Sequence, residues 1–350
     1  KQALERPALS PPVRTINMIR LGEALAARDG GVGGPPVRAL VVYNSNPASV
    51  APDRNAVLHG LAREDLFTVV LEHFQTDTAD WADIVLPATT QLEHWDVHLS
   101  YGHHYLTLNR PSIEPLGESK PNSEIFRLLA LRMGMTDPMF RDDDRALIRQ
   151  SLQSTSEKFQ GITMDALLER GWMRLNVPTP YLPFANGGFL TPSGKCEFYS
   201  ERLKEMGLDP VPTYTPPHES PERDPLLAER FPLTLISSPA HQFLNSTFVN
   251  IGSLRRAARE PECILHPADA ERRGIGAGMR VAVHNDRGAF TAVAKVESSI
   301  REGVVWAPSI WWGKFAADGA NANQTTSQRE TDMGHGPVFY DNQVEVALAD

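Results

Sequence analysis

Leu233-Thr234-Leu235-Ile236 runs straight into Ser237-Ser238-Pro239-Ala240-His241-Gln242-Phe243-Leu244-Asn245-Ser246-Thr247. The four apolar-rich residues read as a buried strand, and the polar run after them reads as a loop crowded with side-chain donors and acceptors. Further along, Trp306, Trp311, Trp312 and Phe315 supply flat aromatic faces. They precede a second uncharged polar run, Asn321-Ala322-Asn323-Gln324-Thr325-Thr326, and a closing loop from Gly336 to Asn342. Two hydrogen-bonding loops beside aromatic faces suit a large, flat, heteroatom-rich ligand carrying phosphates rather than a metal ion alone. Between the loops the chain alternates short apolar runs and turns. A strand at 263–265 leads into a helix over 267–273 that Gly274 ends, and a hairpin over 280–284 and 289–296 turns about Asn285–Gly288. A β-rich module is therefore expected from 231 to 350.

Upstream the period changes. A strand at 39–43, a helix at 54–63, a strand at 67–71, a short helix at 78–82 and an apolar run at 84–86 alternate, which predicts a parallel sheet. A helix over 123–133 follows, with Ile125, Leu128 and Leu129 at helical spacing and Gly134 as its stop. A helical pattern over 16–27 stands among Pro7, Pro11, Pro12, Gly30, Gly31, Gly33, Gly34, Pro35 and Pro36. Those glycines precede a strand instead of following one, so they read as a connection and not a phosphate loop. Residues 136–230 form a connecting region with a helix over 164–170 and proline-rich linkers. The fold class is α/β, with domains at 1–135 and 231–350.

The chain has 350 residues and a formal net charge of -9, which argues against a nucleic-acid footprint. No apolar run approaches the roughly 20 residues that span a bilayer, so no membrane insertion is expected. Cys196 and Cys263, the two cysteines, lie far apart and can form neither a cysteine cluster nor a disulfide framework. A reducing, cytoplasmic compartment is the default, with a periplasmic one left open.

These patterns, with VVYNSNPASVAPD (41–53), LEHFQTDTADWADIVLPATTQLE (71–93) and GESKPNSEIFRLLALRMG (117–134), resemble the molybdopterin oxidoreductases of the dimethyl sulfoxide reductase superfamily. The resemblance implies a Rossmann-like parallel-sheet domain followed by a double-psi β-barrel that binds the dinucleotide. It implies molybdopterin guanine dinucleotide with molybdenum or tungsten, and redox chemistry on a small molecule or oxyanion. Family members are about twice as long, so the chain looks like a C-terminal portion that is inactive alone. The metal ligand, any iron–sulfur cluster and the contact with an electron-transfer subunit would belong to missing N-terminal domains.

Parallel strands present their C-terminal ends to nucleotides. Asn46 stands at one such end. Leu71 and Glu72 end the next strand, where the Glu72 carboxylate can accept a paired N–H set such as guanine offers. The resemblance also assigns Asn122 to the base and His94 to the neighbourhood of phosphate. It assigns Ser237, Ser238, His241, Asn245, Ser246 and Thr247 to pterin and phosphate atoms, Asn323 and Tyr340 to further cofactor contacts, and Trp311 or Trp312 to stacking. One departure is Ser238-Pro239, where relatives commonly carry Gly-Arg, so a cationic contact is lost. Thr76-Asp77-Thr78 reads as the cap of the short helix. Two alternatives stay open: a cofactor-free structural homologue in a redox complex, and a zinc hydrolase built on His94, His98, His103 and His104 with Glu93 and Asp96.

Overall fold

Strands β1 (Ala39–Tyr43), β2 (Phe67–Glu72) and β3 (Ile84–Pro87) form a parallel sheet in the order β1-β2-β3. The computed structural model describes residues 13–27 and 33–349, so the expectations for residues 1–12 and 28–32 lie outside the described residues. Along β1 only Val42 is buried; in β2 Thr68 and Val70 are, because successive strand residues face opposite ways, and Leu71 at the strand's end is buried as well. Val42 and Val70 pack with Ala79. Leu25, Ala48, Val57, Leu61 and Leu66 form the adjoining core, with Leu40 packed against it. The helix Arg54–Leu61 starts at Asp53, whose carboxylate accepts from the Ala56 N–H. The helix expected over 16–27 is a 3-10 turn at Met18–Arg20 followed by a helix at Leu21–Ala26. The one at 78–82 is a 3-10 turn, Ala79–Trp81.

The chain divides into two compact units. One contains residues 71–74 and 85–197, and the other contains residues 14–70, 75–84 and 198–349. The first unit carries a small antiparallel sheet of β4 (Asp96–His98), β5 (Tyr105–Asn109) and β6 (Trp172–Arg174). Leu106 and Leu108 on β5 pack against Ile148 and against Met164 and Leu167 of the helix Met164–Arg170. No strands were expected here: β4 and β6 are too short to show a period, and the alternation of the longer β5 went unread.

The second unit holds a closed barrel with strand order β10-β8-β11-β7-β12-β9. Its members are β7 (Leu233–Ile236), β8 (Glu262–Leu265), β9 (Arg280–Asn285), β10 (Gly288–Val296), β11 (Val304–Trp306) and β12 (Gln343–Leu348). Parallel pairs β7–β11 and β8–β10 are joined by antiparallel ones. Every second residue points inward: Leu233, Leu235, Cys263, Leu265, Val281, Val283, Phe290, Ala292, Ala294, Val305, Val344 and Val346 fill one core. Each large member is worth about 1.5–3 kcal/mol on burial, and closure leaves no open edge. The hairpin turns as expected, with Asn285 paired to Gly288 across Asp286 and Arg287.

Candidate functional site

The polar loop after β7 is pinned from beneath by Ser309. Its N–H donates to the Ser238 carbonyl at 2.9 Å, and its hydroxyl accepts from the Ala240 N–H at 2.7 Å. Leu244 and Thr247 exchange two backbone hydrogen bonds, closing a tight turn on Asn245 and Ser246. Asn245 takes a φ of 55°, a left-handed conformation that asparagine tolerates better than most residues. The Ser246 carbonyl accepts from the indole N–H of Trp312 at 2.9 Å.

This loop, the 310–323 segment and the closing loop together wall a cleft of about 220 Å³ lined by Val50, Ser237, Pro239, Asn245, Ile310, Asn323, Phe339 and Tyr340. It brings together Ser237, Asn245, Asn323 and Tyr340, which lie far apart in sequence. Asn323 is 1% exposed, and its carboxamide N–H donates to the Ser49 carbonyl at 2.9 Å. Tyr340 stands half-exposed. The described lining residues include no cation, so a ligand here meets neutral donors and acceptors, which match the amide-like edge of a heterocycle. The volume falls below the roughly 300–1,000 Å³ of sites that enclose a whole ligand, so it suits one planar part of something larger.

Other expected residues are placed differently. His241 lines a separate cleft of about 470 Å³, with Phe243, Arg259, Glu262, Trp306 and Trp311. Trp312, expected to offer a stacking face, is 6% exposed. It packs with Phe243, Val249 and Trp311 and stacks on Phe315, so its indole is spent on the loop's own core. Asn46 is engaged internally as well: its oxygen accepts from the Thr78 hydroxyl at 2.7 Å, and its amide donates to the Ser49 hydroxyl at 3.1 Å. The backbones of Ser238 and Ser246 are engaged as described, and Thr247 is exposed at the turn.

Leu71, Glu72, His94 and Asn122 belong to the other unit. Leu71 is fully buried, while Glu72 is half-buried at the end of β2 and accepts from the His73 N–H. The Glu72 carbonyl accepts from the Ala88 N–H, and Ala88 bridges to Lys120, two residues before Asn122. The ring Nδ1 of His94 lies 2.9 Å from the Thr89 hydroxyl. These residues thus lie along one strip at the ends of β2 and β3.

Glu93 is buried as a latch, accepting from the Thr90 N–H and hydroxyl and from the Leu116 N–H. The Thr90 N–H first, then that of Leu116, hold its carboxyl below the usual carboxylate range. The histidines do not converge. His98 lies on a strand, so its spacing from His94 is not a helical one, while His103 packs on Tyr105 and His104 on Tyr181. Among the described residues no three His, Cys, Asp or Glu side chains are placed to hold a metal, and no helix is long and apolar enough to cross a membrane.

Sequence reasoning missed a buried cluster behind the cleft: Ser49, Arg54, Asp77, Asn321 and Gln324. Within Thr76-Asp77-Thr78 it is the Thr76 hydroxyl that serves the short helix, accepting from the Ala79 N–H at 3.2 Å, and Asp77 is turned to other use. It accepts from the Ser49 hydroxyl at 2.8 Å and from the Gly313 N–H. A usable signal was the six-residue run 321–326, polar but without a charge, which is buried throughout.

Comparisons with known proteins bear on this arrangement. A family model described as molybdopterin oxidoreductase matches residues 28–132, and one described as molydopterin dinucleotide binding domain matches residues 233–343. The chain is 40% identical to the probable oxidoreductase YoaE of Bacillus subtilis (strain 168), over 98% of this chain and 48% of that protein. It is 30% identical to the dimethyl sulfoxide reductase DmsA of Escherichia coli (strain K12), over 97% of this chain and 47% of that one. The solved structure of acetylene hydratase from Pelobacter acetylenicus superposes with a TM-score of 0.79 at 25% identity, covering 96% of this chain and 47% of its own. The chain spans about half the length of these relatives.

Proposed function

The chain belongs to the molybdopterin oxidoreductase family, and we propose that it is the cofactor-holding C-terminal portion of a molybdenum or tungsten enzyme. That enzyme would use bis-molybdopterin guanine dinucleotide to oxidise or reduce a small molecule or oxyanion. The observation that carries this reading is the cleft that gathers Ser237, Asn245, Asn323 and Tyr340 within the region matched by the dinucleotide-binding model. Its parallel pairs β7–β11 and β8–β10 support a double-psi topology for the barrel.

When bound, the cofactor supplies a two-electron redox centre, and the protein's part is to hold, orient and shield it. Asn323, with a carboxamide fixed by Ser49, and Asn245, fixed by its turn, would present donors and acceptors to the pterin edge. Tyr340 at the mouth would limit water access. Glu72, together with Asn122, would read the guanine. The missing cation at Ser238-Pro239 leaves phosphate to neutral donors, which predicts looser retention than an arginine would give. Cys263 is sealed in the barrel and its thiol is pushed up to about 12 by burial, so it offers no thiolate to a metal. The metal ligand, any iron–sulfur cluster and the docking of an electron-transfer subunit are assigned to other parts of the complete enzyme.

The test measures molybdenum, tungsten and acid-released guanine nucleotide in the complete enzyme, wild type against Asn323→Ala and Glu72→Ala. Each variant is expected to weaken cofactor retention by about 1–3 kcal/mol, the cost of stranding a buried hydrogen-bond partner. Metal and nucleotide content equal to wild type in both would refute the assignment, and a wild type without either would favour the cofactor-free homologue.

A further inference from the structure

We propose that the buried Arg54–Asp77 pair is the positioning clamp of the cleft, setting where Asn323 stands and thereby how firmly the cleft retains its ligand. The retention part rests on the reading above that the ligand is a pterin dinucleotide. Arg54 and Asp77 are 4% and 5% exposed, and Asp77 lies on the loop after β2. The Arg54 guanidinium donates from Nε to the Ala48 carbonyl, and from Nη1 to the Gly319 carbonyl at 2.7 Å and the Gln324 carboxamide at 3.1 Å. Its Nη2 lies 3.5 Å from the Asp77 carboxylate. Asp77 in turn accepts from the Ser49 hydroxyl and from the N–H groups of Gly313 and Lys314.

The Ser49 carbonyl completes the chain of contacts. It accepts from both Asn321, at 3.2 Å, and Asn323, at 2.9 Å, while the next residue, Val50, lines the cleft. The cleft wall is thus two hydrogen bonds from the ion pair. Gly313 shows how close the approach is, since a Cβ there would lie 2.3 Å from Arg54 Nη2 and 2.5 Å from the Gly319 carbonyl oxygen.

A buried ion pair is weak ground for stability, because apolar residues of like volume often serve as well. What apolar residues cannot supply is a rigid fork of donors reaching several segments of the chain at once, and lysine cannot supply it either. The arrangement therefore fits positioning better than stabilisation.

The experiment uses the complete enzyme carrying Arg54→Lys, and separately the double variant Arg54→Met with Asp77→Leu. Amide hydrogen exchange over residues 311–326 is measured without cofactor, pterin release from loaded protein is followed by fluorescence, and melting temperature is recorded. In Arg54→Lys, exchange over 311–326 and pterin release should each rise about tenfold. In the double variant the melting temperature should return to the wild-type value while release stays fast, a split that a merely structural pair would not produce. Unchanged exchange over 311–326 overturns the proposal, as does faster exchange with pterin release at the wild-type rate. If wild-type protein releases no pterin on denaturation, the cofactor reading fails by itself. The clamp is then decided by exchange alone: a rise confined to 311–326 and the contacting loops upholds it, and no rise sinks it.

Discussion

Asn46 and Asn323 carry the same side chain at the same kind of place, a polar loop beside a strand, yet only Asn323 lines the cleft. A carboxamide has donors on one side and an acceptor on the other, and it bonds to whichever neighbours the fold supplies. For Asn46 those are Thr78 and Ser49, more than thirty positions away in the case of Thr78. The sequence could name candidates of the right chemistry but not their neighbours. The two thiols show the same split. The sequence excluded a cysteine cluster and a disulfide framework but could not tell the two cysteines apart. Cys263 is buried on β8 with its thiol pushed up to about 12, whereas Cys196 is exposed and lies on no strand. A thiol reagent at about pH 8 should therefore modify Cys196 alone in native protein and both residues after denaturation, since Cys196 is open to the reagent and Cys263 is sealed in the barrel. Modification of two thiols in native protein, counted by mass, would contradict the barrel packing.

Elements were legible wherever a period ran long enough. The alternation of Val281, Val283, Phe290, Ala292 and Ala294 gave the β9–β10 hairpin almost to the residue. The helix Met164–Arg170 lies where it was expected; Thr163 caps its start and Gly171 ends it in a left-handed conformation. Strands β4, β5 and β6 were missed: β4 and β6 are three residues each, and β6 pairs with a β5 far from it in sequence. The loop that follows β3 offers an element-scale test through Glu93. Its folded-state carboxyl titrates below the ordinary value of 4.5, held there first by the Thr90 N–H. The unfolded chain then binds the proton more readily, so the latch contributes stability above pH 4.5 and loses it as pH falls through the lower folded value. Melting temperature between about pH 3 and 6 should fall more steeply in wild type than in Glu93→Gln. Parallel slopes for the two proteins would show that the latch carries no such stability.

At the scale of the molecule, the chain matches about half of each relative, and its two units present apolar side chains to solvent. On the helix Asn122–Arg132 Leu131 is 70% exposed, and Leu128 and Phe126 are also exposed. The cleft of about 220 Å³ would surround only part of a dinucleotide. On the proposed function, residues 1–350 expressed alone and supplied with cofactor should show no dye-linked reduction of oxyanions and no oxidation of formate, because the remaining cofactor contacts and the shielding of the metal would come from elsewhere. Turnover that tracks bound molybdenum would overturn this and require a metal ligand within the chain.

By itself the sequence determined most of the element types, the change from α/β alternation to a β-rich module, and the stock of uncharged polar residues that could meet a heterocycle. Those follow from local rules, the strand period of two, the caps and turns, and the chemistry of single side chains. Only the tertiary structure decided which of those polar groups face the cleft. It assigned Trp312 to the core, Asn46 to an internal bond and His241 to a separate cleft, and it placed Arg54 and Asp77 behind Asn323. These outcomes depend on partners that folding brings near from distant parts of the chain, and a pattern read along the chain holds no record of them.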